Sequence, residues 1–291
     1  MISAETRRKI RQIEIRTNRL VSEQLSGAYH SAFKGQGLDF EDVRPYEPGD
    51  DVRRMHWNIS ARVGTPHIKR FSEERELTVM IVADVSASGD FGSGEHSKKE
   101  FMAELASVLA FSAMSNQDRV GLLLFSDRVE KFVPPGKGDT HVLRLIRDIL
   151  SFEPQHRETD VSEAIRELQG LIHRRALVFL MSDFLDPGFG RRLPVAAQQH
   201  DLVAMLVYDP RETRLPDAGL VNLEDCETGE QLLVNTSDKT IRDRFEVEAL
   251  ARIETARRGL TKYGIDVLQL ASDQPYLPVL QRFFASRRAR L

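Results

Sequence analysis

The chain has 291 residues, 41% of them hydrophobic, and a formal charge of −3, enough for one large domain or one domain with a substantial extension. The near-balanced charge gives no general affinity for nucleic acid, which asks for a basic excess on one face, and a single cysteine, Cys226, excludes an internal disulfide framework. The charged N-terminus has no apolar core of a secretory signal behind it, and the longest apolar runs fall well short of the roughly 20 residues of a membrane helix; a cytoplasmic protein without membrane insertion is expected.

Residues 3–25 predict a helix, with Ile10, Ile13, Leu20 and Val21 at helical spacing among charges. Residues 27–75 are interrupted by Gly27, Gly35, Gly37, Pro45, Pro48, Gly49, Gly64 and Pro66. The stretch also holds many apolar anchors, among them Phe33, Phe40, Tyr46 and the only tryptophan, Trp57. That is too many for a disordered linker. Residues 1–75 are therefore expected to wrap the main domain, the first helix near the last one.

From residue 76 the pattern becomes regular. Five apolar runs follow: LTVMIVAD at 77–84, RVGLLLF at 119–125, RALVFLMSD at 175–183, DLVAMLVY at 201–208 and IDVLQLA at 265–271. Runs apolar on both faces suit strands buried between two helix layers. Helical patterns separate them at 98–116, 139–151, 160–173, 191–200 and 238–263. The alternation predicts an α/β fold, a doubly wound, mostly parallel sheet of Rossmann type with an N-terminal helical and irregular extension. Residues 129–133 read as a short antiparallel edge strand. Residues 221–234 read as a hairpin with its turn at Glu227-Thr228-Gly229, within an insertion at about 212–236. A last helix is expected near 276–288. The main domain is thus 76–291.

In an open doubly wound sheet, ligands gather outside the carboxyl ends of the strands. The first run ends in Asp84-Val85-Ser86-Ala87-Ser88 and the third in Ser182-Asp183; the loop before the helix at 160 carries Glu158-Thr159-Asp160. Alternate residues of an extended segment point the same way, so Asp84, Ser86 and Ser88 can converge. All are hard oxygen donors, suited to Mg²⁺, Mn²⁺ or Ca²⁺. Few carboxylates and several neutral hydroxyls leave such an ion with net positive charge and an open position, which attracts a carboxylate from a partner.

Asp84-x-Ser86-x-Ser88, then Thr159, then Asp183 resembles the metal-ion-dependent adhesion site (MIDAS) of von Willebrand factor A domains. The resemblance implies a metal held by Asp84, Ser86, Ser88, Thr159 and Asp183. Two departures stand out: Gly89-Asp90 follows Ser88 where many members have Met, and Arg157-Glu158 precedes Thr159 in place of a glycine pair.

A second resemblance runs from Gly35-x-Gly37-Leu38-Asp39-Phe40-Glu41-Asp42-Val43-Arg44-x-Tyr46-x-Pro48-Gly49-Asp50-Asp51-x-Arg53-x-Met55-x-Trp57 through Ser60-Ala61-Arg62 and Arg70-Phe71-x-Glu73-Glu74-Arg75-Glu76. It is similar to the bacterial family catalogued as domain of unknown function 58. Members of that family are often paired with MoxR-type AAA+ ATPases, which implies an adaptor or co-chaperone-like partner of such an ATPase.

Arg44, Tyr46, Asp50, Arg53, Trp57 and Arg62 admit two readings, a partner-binding surface or a buried charge network anchored by Trp57; the sequence favours the network. Gly136-Lys137-Gly138 lacks phosphate-loop spacing, and no histidine pair has metal-ligand spacing. The function expected is metal-dependent protein binding without catalysis. The alternative is a Mg²⁺-dependent, phosphatase-like hydrolase. Two features speak against it: Ser86 stands where a second Asp is wanted, and no Lys is recognisable beside Asp183.

Overall fold

Unbroken apolar runs become the centre of a sheet because neither of their faces meets water. The computed structural model describes residues 4–33, 39–72, 76–94, 97–186 and 188–290, without the side chains of 4–7, 18, 22, 39–42, 54 and 69–72. Of the signature segment, Gly35, Gly37, Leu38, Glu73, Glu74 and Arg75 lie outside the described residues.

The chain divides into two compact units, one formed by Met1–Ala32 with Thr78–Leu291, the other by Phe33–Leu77. The N-terminal helices thus group with the main domain. The division differs from the expected 1–75 and 76–291: the signature segment is an insertion in the larger unit.

In chain order the larger unit begins with α1 (Ala4–Leu20), a π-helical turn at Val21–Leu25, and α2 (Ser26–Phe33). The helical path runs eight residues past the expected end at 25. Val21, Leu25, Tyr29 and Ala32 are buried, a spacing of four, four and three that continues the apolar stripe through Gly27.

The smaller unit holds β1 (Asp39–Pro45), α3 (Trp57–Val63) and β2 (His67–Ser72), with β1 and β2 paired antiparallel. His56 caps α3 by accepting from the Ile59 amide at 3.3 Å. Gly64 ends α3 at φ 78°, with its amide on the Ser60 carbonyl, a conformation glycine adopts without a Cβ clash.

The rest of the larger unit is an alternating series: β3 (Thr78–Asp84), α4 (Lys98–Ser115), β4 (Arg119–Phe125), β5 (Val129–Gly136), α5 (Asp139–Ser151), α6 (Val161–Leu171), β6 (Leu177–Ser182), α7 (Leu193–Gln199), β7 (Asp201–Tyr208), α8 (Pro210–Thr213), β8 (Leu220–Glu224), β9 (Gln231–Asn235), α9 (Lys239–Thr261), β10 (Asp266–Ala271) and α10 (Leu277–Arg288). Six strands form one sheet in the order β10-β7-β6-β3-β4-β5. All pair in parallel except β5, which runs antiparallel to β4 at the edge. β8 and β9 form a separate hairpin.

Burial follows position in the sheet. β3, β4, β6 and β7 are buried at nearly every residue, whereas β10, at an edge, alternates at its end. α4 is buried all round, from Lys98 to Ala113. It lies on the sheet through β3, β4 and β7, and α1 and α5 cover it, which is why its pattern shows little amphipathicity. α1 packs on α4 and α5, and the helical path that follows it meets α10, as expected for the first helical stretch: Gln281 donates to Gln24 Oε1 at 3.3 Å, and Tyr29 of α2 stands against Phe284 with ring centroids 5.9 Å apart.

Strand order reverses around β3, whose neighbours are β4 on one side and β6 on the other. The crevice at such a reversal is where ligands of open α/β sheets bind. Asp84 and Ser182 are the last residues of those two strands, and Ala83 pairs with Met181 one residue earlier, so both side chains stand at the same rim.

Candidate metal and docking site

Asp84 is buried, 3% exposed. Its Oδ1 accepts from the Ser86 amide at 2.9 Å and its Oδ2 from the Ser182 hydroxyl at 2.8 Å. The Ser86 and Ser88 hydroxyls share a hydrogen bond at 3.2 Å, and Ser88 donates to Asp183 Oδ2 at 3.0 Å. Four of the five expected ligands are thus linked around one rim.

Thr159 reaches the same rim by a backbone tie. The Ala87 amide donates to the Arg157 carbonyl at 3.2 Å, joining the loop after β3 to the loop before α6. Asp160 caps α6 through the Glu163 amide at 2.8 Å. Thr159, Ser88 and Asp183 line one cavity of about 490 Å³. The Thr159 hydroxyl donates to Glu227 Oε1 at 2.8 Å. Asp90 is exposed, 4.0 Å from Lys99.

The backbone aims Asp183 by an uncommon conformation. Phe184 has φ 54°, a left-handed position unusual for a bulky residue. Its amide donates to the Ser182 hydroxyl at 3.1 Å, and its ring is buried, 2% exposed. Packing of the ring holds the turn that points residue 182 inward and residue 183 toward the cavity.

Three groups at this rim have no motif to announce them. Lys98, with a side chain 3% exposed, lies 3.0 Å from Asp183 Oδ2 and 2.6 Å from Glu212 Oε1. The expectation that no lysine serves Asp183 is therefore corrected; Lys98 is the first residue of α4, 85 positions away in sequence. Glu212 comes from α8 and Glu227 from the hairpin turn. Beside them, Asp209 accepts from the Ser93 amide at 3.0 Å and from the Ser272 hydroxyl at 3.0 Å. Burial works to raise its carboxyl, but the bonds from the Ser93 hydroxyl and amide, the Arg211 amide and the Ser272 hydroxyl outweigh it and hold it below its ordinary value. Asp209 pins the loop after β3 to the ends of β7 and β10.

The electrostatics are uneven. Burial, then the charge of Asp183, pushes the Asp84 carboxyl up to about 7 against the bonds from Ser86 and Ser182. Burial likewise raises Glu227, with Asp183, Asp225 and Glu158 adding to it. Asp183 has an ammonium beside it, whereas Asp84 has only neutral donors. An oxygen-rich rim short of positive charge at a buried carboxylate fits a hard divalent cation. Among the described residues no group of three or more His, Cys, Asp or Glu is placed to hold a metal. The set here, two carboxylates and three hydroxyls, is of another kind.

In the smaller unit, Arg44 donates to Asp50 Oδ1 at 2.7 Å, and Asp50 Oδ2 accepts from the Glu47 amide at 2.9 Å. Asp51 caps the short helix Val52–Arg54 through the Arg53 amide. Trp57 is 70% exposed, and Arg53 and Arg62 are exposed, with Tyr46 half-buried. A buried network anchored by Trp57 is corrected: the tryptophan occupies the first position of α3 and faces solvent.

The strand order with an antiparallel edge, and the rim at the point of reversal, define a doubly wound α/β domain with its crevice at the carboxyl ends of β3 and β6. Residues 42–255 match the family described as protein of unknown function DUF58, and the chain belongs to that family. An uncharacterized protein of Mycobacterium tuberculosis is 33% identical over 282 residues, 96% of this chain and 89% of its own. Among solved structures, BatB of Bacteroides thetaiotaomicron is 15% identical, with 74% of this chain and all of that one covered and a TM-score of 0.48. The Rpn10 von Willebrand factor A domain is 14% identical, with 71% and 94% covered and a TM-score of 0.41. Both likenesses are distant, and the fold assignment rests on the strand order itself. Among the described residues no helix is long and apolar enough to cross a membrane.

Proposed function

We propose that this protein is a metal-dependent adaptor that binds a protein partner through a divalent cation held by Asp84, Ser86, Ser88, Thr159 and Asp183, and that it performs no catalysis of its own. The observation that carries the reading is the hydrogen-bonded series from Ser86 through Ser88 to Asp183 beside the buried Asp84. The cation would be Mg²⁺, or Mn²⁺ or Ca²⁺, all of which take oxygen ligands. Its chemistry there is to attract a carboxylate. The five residues orient that encounter: Asp84 and Asp183 supply charge, and the hydroxyls supply neutral oxygens that leave net positive charge exposed.

The partner favoured is a MoxR-type AAA+ ATPase, acting with this chain in the cytoplasm in a chaperone-like or complex-maturation role. Support for it is the family resemblance of the signature segment, whose Arg53, Trp57 and Arg62 are exposed. The test is association of the purified chain with such an ATPase in Mg²⁺. Loss of binding with a chelator and with Asp84→Ala is expected; undiminished binding under both conditions refutes the reading.

The second reading, a Mg²⁺-dependent phosphatase-like hydrolase, gains one observation: Lys98 beside Asp183 supplies the cation that phosphate would need. Ser86, in place of a second acid, still weighs against it. Turnover of a general phosphate ester that disappears in Asp84→Ala would reverse the ranking.

A further inference from the structure

We propose that the cavity beside the cation site is a specificity pocket, which takes a bulky apolar side chain standing next to the acidic residue of the partner. The inference rests on the reading above and names what the partner segment must carry: an acidic residue with an aliphatic or aromatic neighbour.

The cavity has a polar end and an apolar body. Ser88, Thr159 and Asp183 make the polar end. Phe245, Ala249 and Ile253 line the body from α9, at a spacing of four that puts them on one face of the helix. Leu206 and Tyr208 line it from β7, where alternate residues share a face. At about 490 Å³ the cavity falls well inside the roughly 300–1,000 Å³ of pockets that bury a ligand. Leu185 joins the two ends. Its amide donates to Asp183 Oδ1 at 3.2 Å, while its side chain lines the cavity and is 52% exposed. Apolar walls left unfilled forfeit contacts on one side. A partner's side chain supplies those contacts and removes Leu185 from water.

The free charge on the α9 wall favours an acidic segment over a basic one. Carboxylates that line the cavity accept bonds from the chain itself: Asp186 from the Val161 and Gly188 amides, and Glu212 from Lys98. Arg252, three residues after Ala249 on α9, lines the same cavity and makes no ion pair or hydrogen bond among the described residues. A guanidinium takes a carboxylate in two parallel bonds, so a second acid beside the apolar residue meets it there. The segment that fits is therefore acidic on both sides of one large apolar side chain.

The test is an array of random hexapeptides probed with labelled protein in Mn²⁺, followed by anisotropy titration of the peptides selected, with calorimetric titration of Mn²⁺ in parallel. The selected peptides are expected to carry Asp or Glu with Leu, Ile, Met or Phe within two residues. Replacing that apolar residue by Gly should weaken binding about tenfold. Ala249→Trp, which fills the cavity, should erase the difference and still bind Mn²⁺. Leu185→Asn, a change at an exposed position, should reduce it without disturbing the fold. Acidic peptides selected with no apolar neighbour, a basic residue preferred beside the apolar one, or no peptide selected by a protein that binds Mn²⁺, each overturns the inference and leaves the cation site standing. No Mn²⁺ binding by wild type removes both.

Discussion

Lys98 Nζ stands between Asp183 and Glu212, 3.0 Å from one carboxylate and 2.6 Å from the other. Both charges raise its pKa against the opposing effect of burial. Losing one member of a buried ionic group leaves the others uncompensated, at a cost on the order of 3 kcal/mol. Lys98→Met, which keeps the apolar stem, is expected to destabilise by about that amount in chemical denaturation. The same change removes a positive charge next to the proposed cation, so Mn²⁺ should bind it more tightly than wild type. An unchanged denaturation midpoint would show that the ammonium is dispensable.

Asp84 gives the metal-free protein a pH signature. Its carboxyl is raised from 3.8 to about 7 in the fold, by burial first and by Asp183 second. The folded state therefore holds a proton that the unfolded chain releases. The stability this contributes is complete below 3.8, declines as pH rises and is lost through about 7. In EDTA, thermal stability should fall between pH 5 and pH 8, and Asp84→Asn should flatten that slope. Mn²⁺ competes with the same proton, so its affinity should increase over the same interval. A metal affinity independent of pH in this range would contradict the assignment.

Gly121 on β4 is a test of the sheet beneath the site. A Cβ there would come within 2.6 Å of Met80 Sδ and 3.1 Å of Pro135 Cγ. Met80 is fully buried in β3, so its side chain has little room to yield. Gly121→Ala is expected to cost about 1–3 kcal/mol, measured by urea unfolding. A neutral substitution would mean that Met80 has another rotamer open to it.

Trp57 separates packing from recognition. A side chain 70% exposed contributes little to folding, so Trp57→Ala should change stability by about 0.5 kcal/mol or less. If α3 engages the ATPase, the same substitution weakens that complex tenfold or more, as large exposed aromatics at interfaces do. A large loss of stability with unchanged association would restore the tryptophan to a structural role.

Much of the main domain was legible because its strands are buried on both faces. Residues 79–83 and 202–207 have no polar interruption, and an unbroken apolar run of that length suits a strand buried on both faces. The place of Asp84, Ser86, Ser88 and Asp183 at the rim was legible because each ends or follows such a segment, and that of Thr159 because it stands just before a helical pattern. Lys98, Glu212 and Glu227 were not, because their place at the rim depends on where α4, α8 and the hairpin come to lie, and no local pattern encodes that. Lys98 in particular reads as an ordinary charged start of a helix after the capping box of Ser97 and Glu100. The misreading of Trp57 has a related cause. Residues 39–72 have no sustained period of two or of 3.6, so nothing in the pattern distinguishes an inward side chain from an outward one. The extra length of the first helix was missed at Gly27, which ordinarily weakens a helix but here sits amid buried Leu25, Tyr29 and Ala32.

The larger unit gives up the chain after Ala32 and takes it back at Thr78, which bears on how the protein would respond to a protease. One cut anywhere in Phe33–Leu77 would not shed the signature segment, because each half would remain attached to a folded stretch. The short fragment would carry α1 and α2, whose Tyr29 donates to Asp118 and packs on Phe284 in the long one. The product would be a nicked protein of two chains that migrates as one species until denatured. Only two cuts, one near each end, would release the smaller unit.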